Sequence, residues 1–322
     1  MRAIRIHGFG GVEALELDEL EMPRPAAGEA LVRISAIGVN FIDIYQRSGQ
    51  YRGALPLTLG QEAAGVVCEL GAGVDPALLG ARVAYAMQPG AYAEYAAVPA
   101  WKLVALPDAV SEQVAAAVML QGMTAHYLSH STWPLQPGDV ALVHAAAGGV
   151  GQLLVQLARR RGARVIGTVS TGAKAAIAQR CGADVVVDYT REDFVAVVQR
   201  ETHGRGVDVV YDSVGRTTFE QSLAALRPRG MLVLYGQSSG AVPPFDPQVL
   251  NARGSLFLTR PTLLHYSASR DELLGRAGAL FAAIEAETLQ VQIDSVYPLA
   301  EAGAAHAALA GRATSGKVLL VP

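Results

Sequence analysis

The sequence predicts an α/β protein of two parts: a small barrel-like β domain and a doubly wound parallel sheet with helices on its faces. Three observations carry this expectation. Residues 139–174 read as strand, tight turn, helix, strand, the first unit of such a sheet. From residue 173 to 259, helical and strand patterns alternate. Before residue 118 the chain is mostly short strands punctuated by Gly and Pro.

The turn in the first of these stretches is chemically informative. Residues 140–144 form an apolar run of strand length, and residues 145–149 are all small. Val150, Leu153, Leu154 and Leu157 then recur at helical spacing, with Gln152, Gln156 and Arg159 turned away. A pyrophosphate binds against bare backbone N–H groups at a helix N-terminus, and small residues let it approach. The G-x-G-x-x-G pattern appears as Ala146-Ala147-Gly148-Gly149-Val150-Gly151, with alanine in place of the first glycine. Its setting between strand and helix makes it a dinucleotide signal rather than a plain turn. Ala147, Gly148, Gly149, Val150 and Gly151 are therefore candidate cofactor contacts. Residues 140–158 are uncharged and near the length of a membrane span. The paired glycines, His144 and the glutamines argue against lipid.

An NAD site places Asp or Glu about 20 residues on, at the end of the second strand, to bind the ribose 2′-hydroxyl. That place here reads Ser170-Thr171-Gly172-Ala173-Lys174, with no acid before Asp184. Two hydroxyls and an ammonium favour a 2′-phosphate, so the expected cofactor is NADPH, held there by Ser170, Thr171 and Lys174.

At 322 residues the chain can build two cores. A composition of 51% hydrophobic and 17% charged residues suits a globular enzyme rather than a disordered chain. The net charge of −3 supplies no basic field, so nucleic acid is not an expected partner. Cys68 and Cys181 are far apart and form no C-x-x-C, which reads as a reducing compartment. The N-terminal residues look like a strand rather than a signal segment, and a cytoplasmic location is expected.

In order, strands are expected at 2–6, 13–19, 30–39, 63–69, 82–86, 91–98 and 102–105, with a short helix and loop over 40–49. Ser111 opens a helix that bridges the two parts. Helices near 173–180, 192–200 and 219–226 alternate with strands at 185–189, 208–212, 231–235 and 255–259. A helix over 271–286 and a strand at 317–321 then return to the first domain. The domains are thus 1–118 with 260–322, and 119–259.

The chain resembles the zinc-free quinone oxidoreductases of the medium-chain dehydrogenase/reductase superfamily, over its whole length. The resemblance rests on Gly38-Val39-Asn40-Phe41-Ile42-Asp43, Arg47-Ser48-Gly49-Gln50-Tyr51 and Gly60-Gln61-Glu62-Ala63-Ala64-Gly65. It continues in residues 144–151, Tyr211-Asp212-Ser213-Val214-Gly215 and Arg312-Ala313-Thr314. One departure is Gly80-Ala81-Arg82-Val83, where the family usually has Asp at the second place. The resemblance implies a GroES-like domain joined to a Rossmann domain, and a homodimer through the latter. It further implies cofactor contacts at Phe41, Thr124, Tyr127, Tyr189, Ser213, Tyr235, Gly236, Ser238, Phe257 and Arg312. Tyr189 and Ser213 also fall at carboxyl ends of expected strands, where ligand loops emerge.

Zinc dehydrogenases of this superfamily use a cysteine and a histidine at positions that resemble Asn40 and Gln61 here, and neither is a competent zinc ligand. No structural four-cysteine lobe exists. His126 and His130, at i and i+4, lack a third ligand, so no metal is expected. Without a Lewis acid, reduction of a simple ketone to an alkoxide is hard. Hydride transfer to a quinone leaves a phenolate-like anion, whose acid has a pKa of about 10, and neutral hydrogen-bond donors suffice. Asn40 and Tyr45 are the candidate positioning donors, with Tyr51 as pocket wall or donor, and the proton comes from water. The expected partner is a small quinone. Two alternatives stand: reduction of a conjugated enal or enone, and a weakly catalytic NADPH-binding protein with a structural or RNA-associated role.

Overall fold

The computed structural model describes residues 1–322. The N-terminal part runs β1 (Arg2–Ile6), β2 (Glu16–Glu19), β3 (Glu29–Val39), α1 (Phe41–Arg47), β4 (Leu57–Thr58), β5 (Glu62–Leu70), β6 (Arg82–Ala86), β7 (Tyr95–Pro99), β8 (Val104–Ala105) and α2 (Glu112–Tyr127). The middle alternates strand and helix: β9 (Val140–Val143), α3 (Gly149–Arg160), β10 (Arg164–Val169), α4 (Gly172–Arg180), β11 (Val185–Asp188), α5 (Phe194–Glu201), β12 (Val207–Asp212), α6 (Phe219–Ala225) and β13 (Leu226–Leu234). There follow α7 (Gln248–Ala252), β14 (Phe257–Thr259), α8 (Leu263–Tyr266), α9 (Arg270–Glu285), β15 (Ile293–Pro298), α10 (Ala302–Ala310) and β16 (Lys317–Val321).

The chain divides into two units, Met1–Met123 with Ser267–Pro322, and Thr124–Tyr266. The two boundaries lie a few residues later than the sequence places them, and the first falls inside α2.

The first unit is assembled on β3, whose eleven residues pair with β5, β7 and β16. The seven-stranded sheet has the order β15-β16-β3-β5-β6-β8, with β7 added on β3, and a three-stranded sheet β2-β1-β4 accompanies it. Alternation puts Ala30, Val32 and Ile34 into a core with Ile4, Ile6, Val67, Val83, Tyr85, Val98 and Leu320.

The second unit is a six-stranded, wholly parallel sheet of order β11-β10-β9-β12-β13-β14. Chain order reverses between β9 and β12, so their carboxyl ends flank a switch point, where ligands bind in folds of this kind. Leu142, Ile166, Val187, Val210 and Leu232 from five strands share one core with Phe194, Val198, Phe219 and Leu223 from the helices.

Where the structure departs from the expected elements, the causes are local. Residues 13–19 are a strand only from Glu16, because the Glu13 carboxylate accepts the Gly11 N–H at 2.8 Å and folds 12–14 into a 3₁₀ turn. Residues 91–94 precede β7 as irregular backbone pinned by Ile4 N–H to Tyr92 O at 2.8 Å. β13 starts at Leu226 and passes through Pro228 and Gly230, with a register shift against β12. β4 and β15 are not expected from the sequence. β15 is only half-buried on alternate residues, which gives its pattern little contrast.

The turn from β9 into α3 has no room for side chains. A Cβ on Gly151 would overlap Ala145 O and crowd Ala146 Cα, both backbone atoms. Gly151→Ala should therefore destabilise the second unit by about 1–3 kcal/mol, the usual range for forced overpacking. A denaturant titration measures this, and wild-type stability would show that the turn can spread.

Candidate functional site

In the first unit, β3 ends at Val39 and α1 begins at once, with Asn40 as its N-cap. A capping box closes this end: Asn40 N–H donates to Asp43 Oδ2 at 2.8 Å, and the Asn40 side chain accepts from the backbone at Asp43. The carboxamide is otherwise fully engaged. Its Nδ2 donates to Glu62 Oε1 at 2.7 Å and to Gly38 O at 3.2 Å. Its Oδ1 accepts from Lys317 Nζ at 2.9 Å and from Gln121 Nε2 at 3.3 Å. The Lys317 ammonium also donates to Glu62, and both side chains are buried. Glu62 Oε2 accepts the Leu120 N–H of α2 at 2.6 Å. Burial pushes the Lys317 pKa down, while the Glu62 carboxylate pushes it back up. Gly38 makes the cluster possible, since a Cβ there would overlap the Glu62 carboxylate and Ala116 O.

Asn40 therefore corrects the role the sequence gives it. Both of its N–H groups are taken by internal partners and the residue is 4% exposed, so it holds α1 in place rather than donating to a substrate.

A second buried chain of groups leaves α1 from Asp43. Tyr92 Oη donates to Asp43 Oδ2 at 3.1 Å and lies 2.9 Å from His306 Nε2, and His306 Nδ1 lies 3.1 Å from the Arg47 guanidinium. Arginine only donates, so Nδ1 accepts, Nε2 carries the proton and donates to Tyr92, and Tyr92 donates to Asp43. Asp43 Oδ1 is buried without a hydrogen-bond partner. Burial raises the Asp43 pKa to about 7, against the pull of the Asn40 N–H, Lys317 and Tyr92. Burial, then the Arg47 charge, lowers His306 to about 3.

The outer face of α1 carries aromatic rings. Tyr45 lies 6.1 Å from Phe41 and 5.3 Å, edge-on, from Tyr51, and Tyr51 N–H donates to Tyr45 O at 3.0 Å. Tyr45 is buried, whereas Tyr51 is 39% exposed. Phe41, Tyr45, Tyr51 and Asn40 are thus brought together. Arg312 belongs to the same unit, just after α10, with a φ of 56°.

In the second unit, Gly148 caps α3 in an extended conformation with no side-chain cap, and Gly148 N–H closes the turn on Ala145 O at 2.8 Å. Ala147, Gly149, Val150 and Gly151 form the first turn of that helix and its approach, where orphan N–H groups gather. A Cβ at Gly151 would meet Ala145 O and Ala146 Cα, so the bare glycine lets α3 pack closely on the end of β9, as the last glycine of a dinucleotide turn does. Ser170 follows β10, and Thr171 caps α4 by accepting Lys174 N–H at 3.3 Å, which puts Ser170, Thr171 and Lys174 at one strand end. Asp188 ends β11 and Tyr189, 44% exposed, follows it. Ser213, Tyr235, Gly236 and Ser238 are also gathered: Tyr235 and Gly236 N–H donate to Asp212 O, and Ser238 N–H donates to Ser213 O. Thr124 is buried. Tyr127 is enclosed and stacked on Tyr266 at 4.3 Å, and Phe257 is exposed on β14. Sequence reasoning missed Glu62, Lys317, Asp43, Tyr92, His306 and Gln152, whose Nε2 ties α3 back to Ala147 O at 2.9 Å.

The residues at Asn40 and Gln61 do not fit zinc. Beside Asn40 the Lys317 ammonium already supplies the positive charge that faces Glu62, and Gln61 Nε2 donates to Gln46 at 3.1 Å. His126 and His130 stack 4.1 Å apart, and His130 Nδ1 is 2.9 Å from Ser129 Oγ. No helix is long and apolar enough to cross a membrane.

Known proteins agree with this architecture. Residues 26–108 match the alcohol dehydrogenase GroES-like domain, and residues 149–272 match the zinc-binding dehydrogenase family. The chain is 44% identical to quinone oxidoreductase 1 of Escherichia coli K12, covering 99% of each chain. It is 44% identical to a 2-haloacrylate reductase of a Burkholderia species, covering 98% of each. The crystal structure of an E. coli quinone oxidoreductase complexed with NADPH superposes with a TM-score of 0.98 at 44% identity over 100% of both chains.

The Asp43–His306 chain makes opposed contributions to stability. Asp43 titrates at about 7 when folded against an ordinary 3.8, so the folded state holds the extra proton and stability falls as pH rises through that window. His306 titrates at about 3 against an ordinary 6.5, so the unfolded state holds the extra proton and stability rises with pH. The two slopes offset each other between about pH 4 and 6.5. Asp43→Asn should uncover the rise and His306→Gln the fall, read as unfolding free energy against pH. Identical slopes in both variants would show that the pair does not titrate this way.

Proposed function

Because the chain belongs to the quinone oxidoreductase family of the medium-chain dehydrogenase/reductase superfamily, we propose that it reduces quinones with NADPH and without zinc. The observation that carries this reading is the Asn40 cluster, where an ammonium and two carboxamides stand in place of zinc ligands. Without a Lewis acid, the acceptor must stabilise its own charge, and a quinone does so as a phenolate-like anion. NADPH, when bound, supplies the hydride.

The chain's own residues then bind and orient. The small-residue turn at Gly148–Gly151 takes the pyrophosphate against backbone N–H groups. Ser170, Thr171 and Lys174 receive the 2′-phosphate, with no acid between Val169 and Asp184 to repel it. Thr124, Tyr127, Tyr189, Ser213, Tyr235, Gly236, Ser238 and Phe257 of the second unit are further candidate cofactor contacts by the family resemblance, and so, each within the first unit, are Phe41 and Arg312. Tyr45 and Tyr51 present hydroxyls to a quinone oxygen, held by α1, whose start Asn40 fixes. Quinone and hydride give the hydroquinone monoanion, and one proton from water completes the hydroquinone. A homodimer through the second unit and a cytoplasmic setting belong to the same reading.

A second reading is favoured by the haloacrylate reductase relative: hydride delivery to the β-carbon of a conjugated carbonyl, leaving an enolate. Stopped-flow oxidation of NADPH by 1,4-naphthoquinone, repeated with an alkenal, with NADH and with EDTA, tests both. Fast, chelator-resistant turnover on the quinone with NADPH is expected. Faster turnover on the alkenal would transfer the assignment to the second reading, and loss of activity with EDTA would overturn the zinc-free one.

Lys174→Ala should weaken NADPH binding about tenfold, as the loss of one charged contact, and leave NADH binding nearly unchanged. Equal losses for both would remove Lys174 from the phosphate site.

A further inference from the structure

His144 is buried at the carboxyl end of β9, and both of its ring nitrogens are engaged. Nδ1 lies 2.9 Å from Thr168 Oγ1 on β10, and Nε2 lies 3.0 Å from Ser222 Oγ on α6. Ser222 Oγ donates in turn to Asp212 Oδ2 at 2.9 Å. With its proton committed to the carboxylate, Ser222 accepts from His144 Nε2–H, and Thr168 donates to Nδ1. Direction is thereby fixed along the row: Thr168 to His144 to Ser222 to Asp212. Phe194 packs edge-on against the imidazole at 4.9 Å.

Two loops hang on this row. The next residue, Ala145, has a φ of 51° and is exposed, a left-handed backbone that costs a non-glycine residue about 1–2 kcal/mol. Such a conformation persists only where its flanks are held, and His144 holds one flank through its ring and through its N–H to Tyr211 O at 3.0 Å. At the other end, Asp212 Oδ1 accepts Val214 N–H at 2.7 Å and Gly215 N–H at 3.0 Å, and Oδ2 accepts Thr218 Oγ1 at 2.7 Å. Asp212 O receives Tyr235 and Gly236 N–H. The glycine turn and the Ser213 and Tyr235 loops are thus set relative to one another by one imidazole.

We infer that His144 is the positioning residue of the dinucleotide site, fixing the pyrophosphate turn against the loops that carry Ser213 and Tyr235. This rests on the dinucleotide reading above but not on the quinone. Burial lowers the His144 pKa, opposed by the Asp212 charge, which agrees with a neutral ring.

The test is binding of NADPH and of NADH to the full chain, followed by cofactor fluorescence with no quinone present. His144→Leu should weaken both cofactors by about the same factor, roughly tenfold as for one buried hydrogen bond, whereas Lys174→Ala discriminates between them. Turnover at saturating NADPH should change less than twofold, placing the effect in KM. Thr168→Val keeps shape and removes only the hydroxyl; it should weaken binding alone and add nothing in the His144→Leu background. Wild-type affinity in folded His144→Leu protein, or additive effects in the double variant, would overturn the assignment. Absence of NADPH binding by the wild type would overturn the dinucleotide reading with it.

Discussion

The first unit depends on one buried ion pair. Lys317 and Glu62 come from β16 and the start of β5, and neither meets solvent. Removing one partner of such a pair leaves an uncompensated buried charge and costs about 3–5 kcal/mol, although replacing both with apolar groups can be neutral. Its contribution is therefore geometric. Glu62 collects Asn40 Nδ2 and the Leu120 N–H, Lys317 collects Asn40 Oδ1, and the strand ends and two helices are fixed to one point. From that point α1 projects Phe41 and Tyr45.

The second unit solves a similar problem with a single carboxylate rather than an ion pair at its centre. His144 joins strands and a helix through hydroxyls, and Asp212, the one carboxylate, is surrounded by donors from backbone and side chain. Each unit holds a buried imidazole with both ring nitrogens hydrogen-bonded, His306 in one and His144 in the other. A ring with one donor and one acceptor gives a hydrogen-bond row a fixed direction, which two hydroxyls in its place would not.

What was legible in the sequence was local. The β9–α3–β10 turn is spelled out by small residues between an apolar run and a helical stripe. The six parallel strands follow from the same alternation. The Asn40 cluster was not legible as a cluster, since Lys317 is 277 residues from Asn40 and 255 from Glu62. The available signal was a lysine opening an otherwise apolar strand, Lys317–Val321, where a buried cation demands a partner. His306 gave no periodic signal either, lying in an alanine-rich helix. Asn40 was found through resemblance, yet its job follows from saturated hydrogen bonds that no pattern of residue types reveals. The Glu13 turn and the passage of β13 through Pro228 were misjudged because one side chain, or one partner strand, overrode the local punctuation.

The discontinuity of the first unit bears on how the chain matures as it is synthesised. β16 lies between β15 and the C-terminal end of β3, so residues 37–39 of β3 lack their neighbour on that side until residues 317–321 have been made, while β7 covers residues 29–33. Residues 124–266 are contiguous and can close their own core while the ribosome is still at work, whereas Glu62 waits for its counter-ion for most of translation. During that interval the end of β3 is a short open edge carrying Ile37 and Val39, the kind of surface that chaperones cover and that aggregates in their absence.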